Sequence, residues 1–307
     1  MSKFIFTTDW HICFHQPSCR VDNIIETQLK KLSSLVNICN QELPDFIIHG
    51  GDLFDAPRSA DPSILNGVIS ILKNLKSPFF YVPGSHDIYG YNLDSYKQSF
   101  IGTLEASGCI NVLHEKAVYK FPSDLLIGVM PCQLSNKVED YLEFKGCDLI
   151  VTHNSISDIS LPYDHILIKD LAQHFNGKIF LCGHIHKPFY IMENNNLFVN
   201  TGPLIRTSIT EKDIKPHVAV FNKVNTKLDY RDIYIPVLDN IFINKNTVTE
   251  SKEVTMTFND ALKDTDLVFN DIYEVLDHIV TELHIDPKYS ELLKRRLENA
   301  EQQLSSK

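Results

Sequence analysis

Between Lys3 and Gly202 the chain keeps returning to one pattern: a short run of β-branched and aromatic residues that stops abruptly at turn-forming and polar residues. KFIFTTD, DFIIHGGD, FFYVPGSHD, LLIGVMP, DLIVTHN, KIFLCGH and LFVNTG all have this form, and each reads as a buried strand. Helical periodicity fills gaps between them. Residues 22–40 place Ile25, Leu29, Leu32 and Val36 on one face, and residues 62–75 do the same with Ile64, Leu65, Val68, Ile69 and Leu72. Strands alternating with helices in this way point to the α/β class.

With 307 residues, 43% of them hydrophobic, the chain can bury one large core, with or without an appendage. The pattern changes after HVAVFNK and LDYRDIYIPV, near Pro236. A main domain is therefore expected over residues 1–235 and a smaller part over 236–307, made of a β element and two helices, Asp266 to Leu283 and Pro287 to Leu304. Leu293, Leu297, Ala300 and Leu304 recur at intervals of four, three and four, which suits either a short coiled-coil seam or packing on the preceding helix. The start of the chain has no long apolar stretch after a basic residue, and no segment approaches membrane-spanning length, so a cytoplasmic protein is expected. Seven cysteines without C-x-x-C pairs argue against a disulfide framework or a thiolate metal site. A net charge of -10 gives no sign of nucleic-acid binding by bulk electrostatics and counts against a simple DNA-binding module. It leaves open an enzyme that grips phosphate through bound cations, whose charge the sum omits.

Metal-binding residue types collect where the runs end. The first gives Asp9 and His11 in TDWH, the second Asp52 in GGDLFD, and the third His86 in GSHD. Later runs give His153 in VTHN and His184 and His186 in CGHIH. A single histidine beside a strand is more often a hydrogen-bonded structural residue than a ligand. The joint occurrence is another matter, because strand-end loops are where α/β folds bind ligands. In D-x-H and H-x-H, an extended backbone would point both side chains to the same side. Carboxylate and imidazole without thiolate suit manganese, iron or zinc. Two such ions about 3.5 to 4 Å apart would clamp a phosphate and activate a water.

In this order, D-x-H, GD-x-x-D, G-x-HD, H and GH-x-H resemble the motifs of the calcineurin-like metallophosphoesterase superfamily. TDWHI, HGGDLFDAPR, VPGSHDIYGYN, CGHIHKP and NTGPLIRTSITE look like the SbcD-type DNA repair exonucleases within it, including phage-encoded relatives. The resemblance implies a β-sandwich flanked by helices, with a small C-terminal cap and helical segment. It implies that Asp9, His11 and His186 hold one metal, that Asp52 bridges, and that His153 and His184 hold the second, with position 85 as its remaining protein ligand. His86 would contact the scissile phosphate and assist the leaving oxygen, with Asp55 orienting it through a carboxylate on its other ring nitrogen. Position 85 is Ser85, where the family carries asparagine, and a hydroxyl is a shorter ligand than an amide carbonyl. The expected activity is a two-metal phosphodiesterase acting on DNA, with Mn2+ as the expected ion and an SbcC-like ATPase as partner; a homodimer is compatible with the sequence. The rivals are an enzyme for a small phosphoester or phosphoprotein, and a scaffold that has lost catalysis.

Other candidates have plainer explanations. His15 reads as a solvated loop residue, and Asp87 as a turn-fixing side chain. His49, His114, His165, His174, His217, His278 and His284 fall outside any ligand motif. Arg206 suits either a phosphate or a structural ion pair.

Overall fold

The structure is a computed structural model and describes residues 2–243 apart from 133–135, 225–226 and 239–240. In chain order the first strands are β1 (Ser2–Thr7), β2 (Phe46–His49), β3 (Phe79–Tyr81), β4 (Asn111–Val112), β5 (Ala117–Lys120), β6 (Leu126–Met130) and β7 (Leu149–Thr152). They are followed by β8 (Ile156–Ser157), β9 (Ile166–Leu167), β10 (Ile179–Cys182), β11 (Phe189–Glu193), β12 (Asn196–Asn200), β13 (His217–Val224) and β14 (Lys227–Tyr234). The helices are α1 (Ile24–Glu42), α2 (Ser63–Leu72), α3 (Phe100–Ala106) and α4 (Ile168–Ala172).

The described strands form two six-stranded sheets and a small β8–β9 pair. The first sheet runs β14-β13-β1-β2-β3-β4 and the second β11-β12-β10-β7-β6-β5. Each has a parallel centre, β1 to β4 in one and β12-β10-β7-β6 in the other, with antiparallel strands added outside it. Period-two alternation builds the layers. Phe4, Phe6, Phe46 and Ile48 of the first sheet meet Ile127, Val129, Leu149, Val151, Ile179 and Leu181 of the second in the central core. Ile5 and Ile47 point the other way, under α1 and α2, while Ile150 and Phe180 point outward beneath α4. Both faces of the inner strands are thus buried, which explains the unbroken apolar runs.

Helix α1 begins where the Asn23 side chain accepts the Glu26 amide and ends where Leu43 turns left-handed and donates its amide to Cys39. Its buried stripe differs from the expected one. Ile24, Thr27, Gln28, Lys31, Leu32, Leu35, Val36 and Cys39 are buried, whereas Ile25 and Leu29 are only partly so. The rotation brings two polar side chains inward because they have backbone to hold: Gln28 bonds both the amide and the carbonyl of Cys13, and Lys31 Nζ donates to the Leu204 carbonyl at 3.0 Å. These contacts brace the loops that carry the site.

Residues 241–243 return to the main body, where Phe242 pairs with Arg20 and the Ile243 amide donates to the Cys19 carbonyl. Phe242 lies near two guanidinium groups, Arg20 at 5.8 Å and Arg206 at 5.4 Å from its ring centre. The expected helices after Asp266 and their apolar seam lie outside the described residues.

Candidate metal centre

The parallel strands deliver their C-terminal loops to one place. Asp9 and His11 follow β1, Asp52 follows β2, Ser85 and His86 follow β3, His153 follows β7, and His184 and His186 follow β10. The ligand atoms fall into three overlapping groups, each within 4.8 Å: Asp9, His11 and His186; His11, Asp52 and His86; Asp52, His153 and His184. Each sheet contributes to the cluster.

The loops hold their shape through a backbone ladder that continues past the strands. Asp9, His11 and Ile12 donate their amides to Gly51, Asp52 and Leu53, while Leu204 and Ile205 donate to the Asp9 and Trp10 carbonyls on the other side. Trp10 is fully buried and donates to the Thr7 hydroxyl, which locks the residue between Asp9 and His11 into the core. The extended backbone expected for D-x-H and H-x-H is not what brings the pairs together. Asp9, His11, Asp52 and His184 have φ of 50, 46, 55 and 74°, all in the left-handed region that costs non-glycine residues energy. The chain turns sharply at each of these four residues and aims it inward. Gly51 at φ 108° completes the second turn, and a Cβ there would come within 2.3 Å of His153 Nδ1.

Local bonds then fix each donor atom. The Asp9 carboxylate accepts the Thr8 hydroxyl at 2.8 Å and the His184 amide at 3.0 Å. Asp52 Oδ1 accepts the His86 amide at 2.8 Å, leaving Oδ2 facing His153 Nε2 at 3.0 Å and His11 Nε2 at 3.7 Å. His153 Nδ1 donates to the Gly50 carbonyl at 2.6 Å, which turns the Nε2 lone pair toward Asp52. His186 Nδ1 is tied to Glu211 at 2.6 Å, and its Nε2 faces His11 Nε2 at 2.9 Å.

These contacts suit cations. His153 Nε2 is buried with no hydrogen-bond donor of its own, 3.0 Å from a carboxylate oxygen, and two imidazole nitrogens oppose each other at 2.9 Å. Buried acceptors this close require positive charge between them, as a proton or as a metal ion. The electrostatics agree. Burial opposes charge on His153, but Asp52 and Asp9 outweigh it and push the imidazole up to about 10. Burial likewise disfavours the Asp52 carboxylate, yet His153 and His11 hold it far below the usual range. Burial, followed by the charge on His153, pulls His184 down to about 4, so its ring is neutral and free to coordinate.

Ser85 is half-buried, and its Oγ lies 3.5 Å from Asp52 Oδ2, so the hydroxyl faces the cluster. His86 is exposed beside it. One expectation needs correction. His86 Nδ1 is held at 2.8 Å by the backbone carbonyl of Asp55, whereas the Asp55 carboxylate sits 3.9 Å from the exposed His15. The turn through GDLFD, anchored by the Ile12–Phe54 bridge and the Asp55 amide to the Ile12 carbonyl, delivers main chain to His86. The contact Asp55 makes with the ring nitrogen is thus through its main chain and not through its carboxylate. Asp87 behaves as a turn-fixer: its Oδ2 accepts the amides of Gly84 and Asp52 and the Tyr81 hydroxyl.

Sequence reasoning passed over Glu211. It is buried, its Oε1 holds His186, and its Oε2 accepts the amides of Thr207 and Ser208. The readable signal was S-x-x-E in SITE, a capping box whose glutamate here also serves a histidine. Burial disfavours charge on this carboxyl, but the His186 bond holds it below its ordinary value. Arg206 does not form the ion pair that was one of its two expected roles. It is buried, donates to the Lys212 carbonyl, and has no carboxylate in ion-pair contact among the described residues. His49 is a core residue whose Nδ1 accepts the Gly51 amide, with burial pulling its ring down to about 3. His278 and His284 lie outside the described residues.

Two facing sheets with mixed carboxylate and imidazole donors gathered at their strand ends define an α/β protein with a site suited to divalent metal ions. The Calcineurin-like phosphoesterase profile matches residues 2–188, and the chain belongs to that family. Among curated relatives, the DNA double-strand break repair protein Mre11 of Methanococcus maripaludis is 25% identical over 69% of this chain and 60% of its own length. The Mre11 protein of Saccharolobus solfataricus is 27% identical over 85% of this chain and 71% of its own. The SbcD component of the SbcCD nuclease of Staphylococcus epidermidis is 23% identical over 76% and 69%, respectively. The chain thus spans three-fifths to about seven-tenths of these proteins' lengths. A dimetal phosphatase from Danio rerio shares the fold at a TM-score of 0.51 and 12% identity, over 76% of this chain and 98% of that one. Among the described residues no helix is long and apolar enough to cross a membrane.

Proposed function

We propose that the protein is a two-metal phosphodiesterase that cuts DNA, the nuclease subunit of an SbcCD-like repair or recombination assembly. One observation carries the chemistry: Asp52 belongs to two of the three ligand groups and stands beside the exposed His86. The nuclease and repair names of the relatives support the choice of DNA. Asp9, His11 and His186 would hold one divalent ion, His153, His184 and the Ser85 hydroxyl the other, and Asp52 both. Such ions, Mn2+ in this reading, would neutralise phosphate charge and acidify an attacking water.

The chain's own residues supply the rest. With Nδ1 donating to the Asp55 carbonyl, a protonated His86 presents Nε2–H to a phosphate oxygen and can pass that proton to the leaving oxygen. The left-handed turns at Asp9, His11, Asp52 and His184 keep the donors in place, so little reorganisation is needed when substrate binds. The net charge of -10 suits a subunit that borrows much of its grip on DNA from a partner ATPase, with residues 236–307 as the proposed docking part.

The test is a manganese-dependent assay on end-labelled single- and double-stranded DNA, beside a small phosphodiester, a cyclic nucleotide and a phosphoprotein, with and without a candidate ATPase. Preferential cutting of DNA is expected. Hydrolysis of the small esters with DNA left intact would replace the DNA reading with the small-substrate one. Metal binding without any hydrolysis would identify a scaffold.

A further inference from the structure

Beside the metal-type cluster lies a cleft of about 200 Å3 whose tyrosine-lined side the proposed mechanism leaves unused. His153 and His184 form part of its wall, so it is continuous with the centre. Tyr91, Asn136, Ser155, Tyr163 and Asp164 also line it.

Charge and aromaticity select what it can hold. Among the described residues no lysine or arginine lines the cleft, and Asp164 places a carboxylate there. Away from the His153 and His184 wall, the cleft offers a phosphate no cationic side chain among the described residues. A neutral heterocycle with N–H and C=O edges gains by entering, because the polar wall is already organised: Asn136 donates its side-chain amide to the Asp164 carbonyl at 3.2 Å, and its Oδ1 accepts the Ser155 amide at 3.2 Å. Two tyrosines add ring surface. Tyr91 is 50% exposed and Tyr163 52% exposed, whereas Tyr81, Tyr96 and Tyr141 are buried. They come from separate loops, Tyr91 from the turn after His86 and Tyr163 from the segment between β8 and β9. Tyr91 also holds a left-handed φ of 58°, within a turn closed by the Asn92 amide on the Tyr89 carbonyl. Core packing does not account for such a ring.

We infer that this cleft takes one nucleobase, unstacked from its neighbours, from the strand whose phosphate sits at the metal centre. The inference rests on the DNA reading above. Aromatic rings accept any base through its π-face, so the cleft reads the presence of a base more than its identity. A paired duplex keeps its bases stacked, so the substrate class selected is a single strand or a frayed end.

The experiment uses the full chain with manganese and single-stranded oligonucleotides in which an abasic residue replaces the nucleotide on either side of the cleaved bond. For the unmodified protein, one of the two positions should raise KM on the order of ten- to a hundredfold, the range expected for a lost base stack. In Tyr91→Ala and Tyr163→Ala that difference between intact and abasic strands should narrow, and Tyr91→Phe and Tyr163→Phe should retain it. Binding of a labelled strand in chelator, followed by anisotropy, should show the same order among the variants without turnover. Equal cleavage of intact and abasic strands by the unmodified protein would overturn the base cleft while leaving the DNA reading standing. Hydrolysis of a small diester with no cutting of any strand would remove both.

Discussion

With Nδ1 held by the Asp55 carbonyl at 2.8 Å, His86 has only Nε2 to offer a substrate, yet it also falls within 4.8 Å of the donor atoms of His11 and Asp52. The two roles separate on substitution. If His86 serves the phosphate, His86→Ala should keep both ions, counted by elemental analysis, and lose roughly 10²- to 10⁴-fold in turnover, the usual worth of a positioned acid. Loss of an ion in that variant would make His86 a ligand instead. Glu211 acts one step further out. Burial disfavours charge on His186, but the Glu211 carboxylate at 2.6 Å more than offsets this and holds the ring with Nε2 turned to the cluster. Glu211→Gln should therefore weaken one of the two metal steps in a calorimetric titration by roughly 10- to 100-fold, as loss of a partner behind a ligand commonly does. An unchanged titration would reduce Glu211 to a cap for Thr207 and Ser208. Neither role was written in the spacing of the motifs: D-x-H and H-x-H name ligands, but a carbonyl contributed by a turn and a carboxylate 25 positions beyond its histidine become visible only when the loops are folded.

At the scale of elements, helix α1 links packing to the site through its two inward polar residues. Lys31 is buried under the 204–206 loop, and burial, with Arg206 and Arg20 nearby, drives its ammonium down to about 7 from 10.5. Folded and unfolded chains then differ between those two values: the unfolded chain keeps the proton, the folded one releases it, and folding grows more favourable as pH rises through the window. Below it the charged group bears its full desolvation penalty, on the order of 4 kcal/mol for a shift of this size. Lys31→Met should be free of that term. Urea unfolding at pH 7 and pH 10 should show the unmodified protein gaining on the variant toward high pH, and a constant gap would mean that Lys31 stays protonated in the fold. The apolar helical period pointed to α1 and α2 because their stripes face a sheet. It could not place Gln28 or Lys31, since their burial depends on Cys13 and Leu204, whose positions the period says nothing about.

Across the whole molecule, the two sheets meet through Phe4, Phe6, Phe46 and Ile48 on one side and Val129, Leu149, Val151 and Leu181 on the other. Leu181→Ala opens a cavity in this layer and should cost about 2–5 kcal/mol in urea unfolding. A smaller loss would mean that the sheets close over the gap. The seven apolar runs made this architecture legible, since both faces of the inner strands are covered. The half-exposed β4, β5 and β11 carried no comparable pattern, because one side of each is left to loops or solvent, and the two-residue β8 and β9 are too short to show a period at all. The division of the ligands between the sheets also sets a timetable. A chain released from the ribosome between residues 153 and 184 carries Asp9, His11, Asp52 and His153 but neither of the last two imidazoles. If these residues are the ligands, products that end before His184 would be born without a complete metal centre, and the proposed activity would be disarmed by default until synthesis has passed His186.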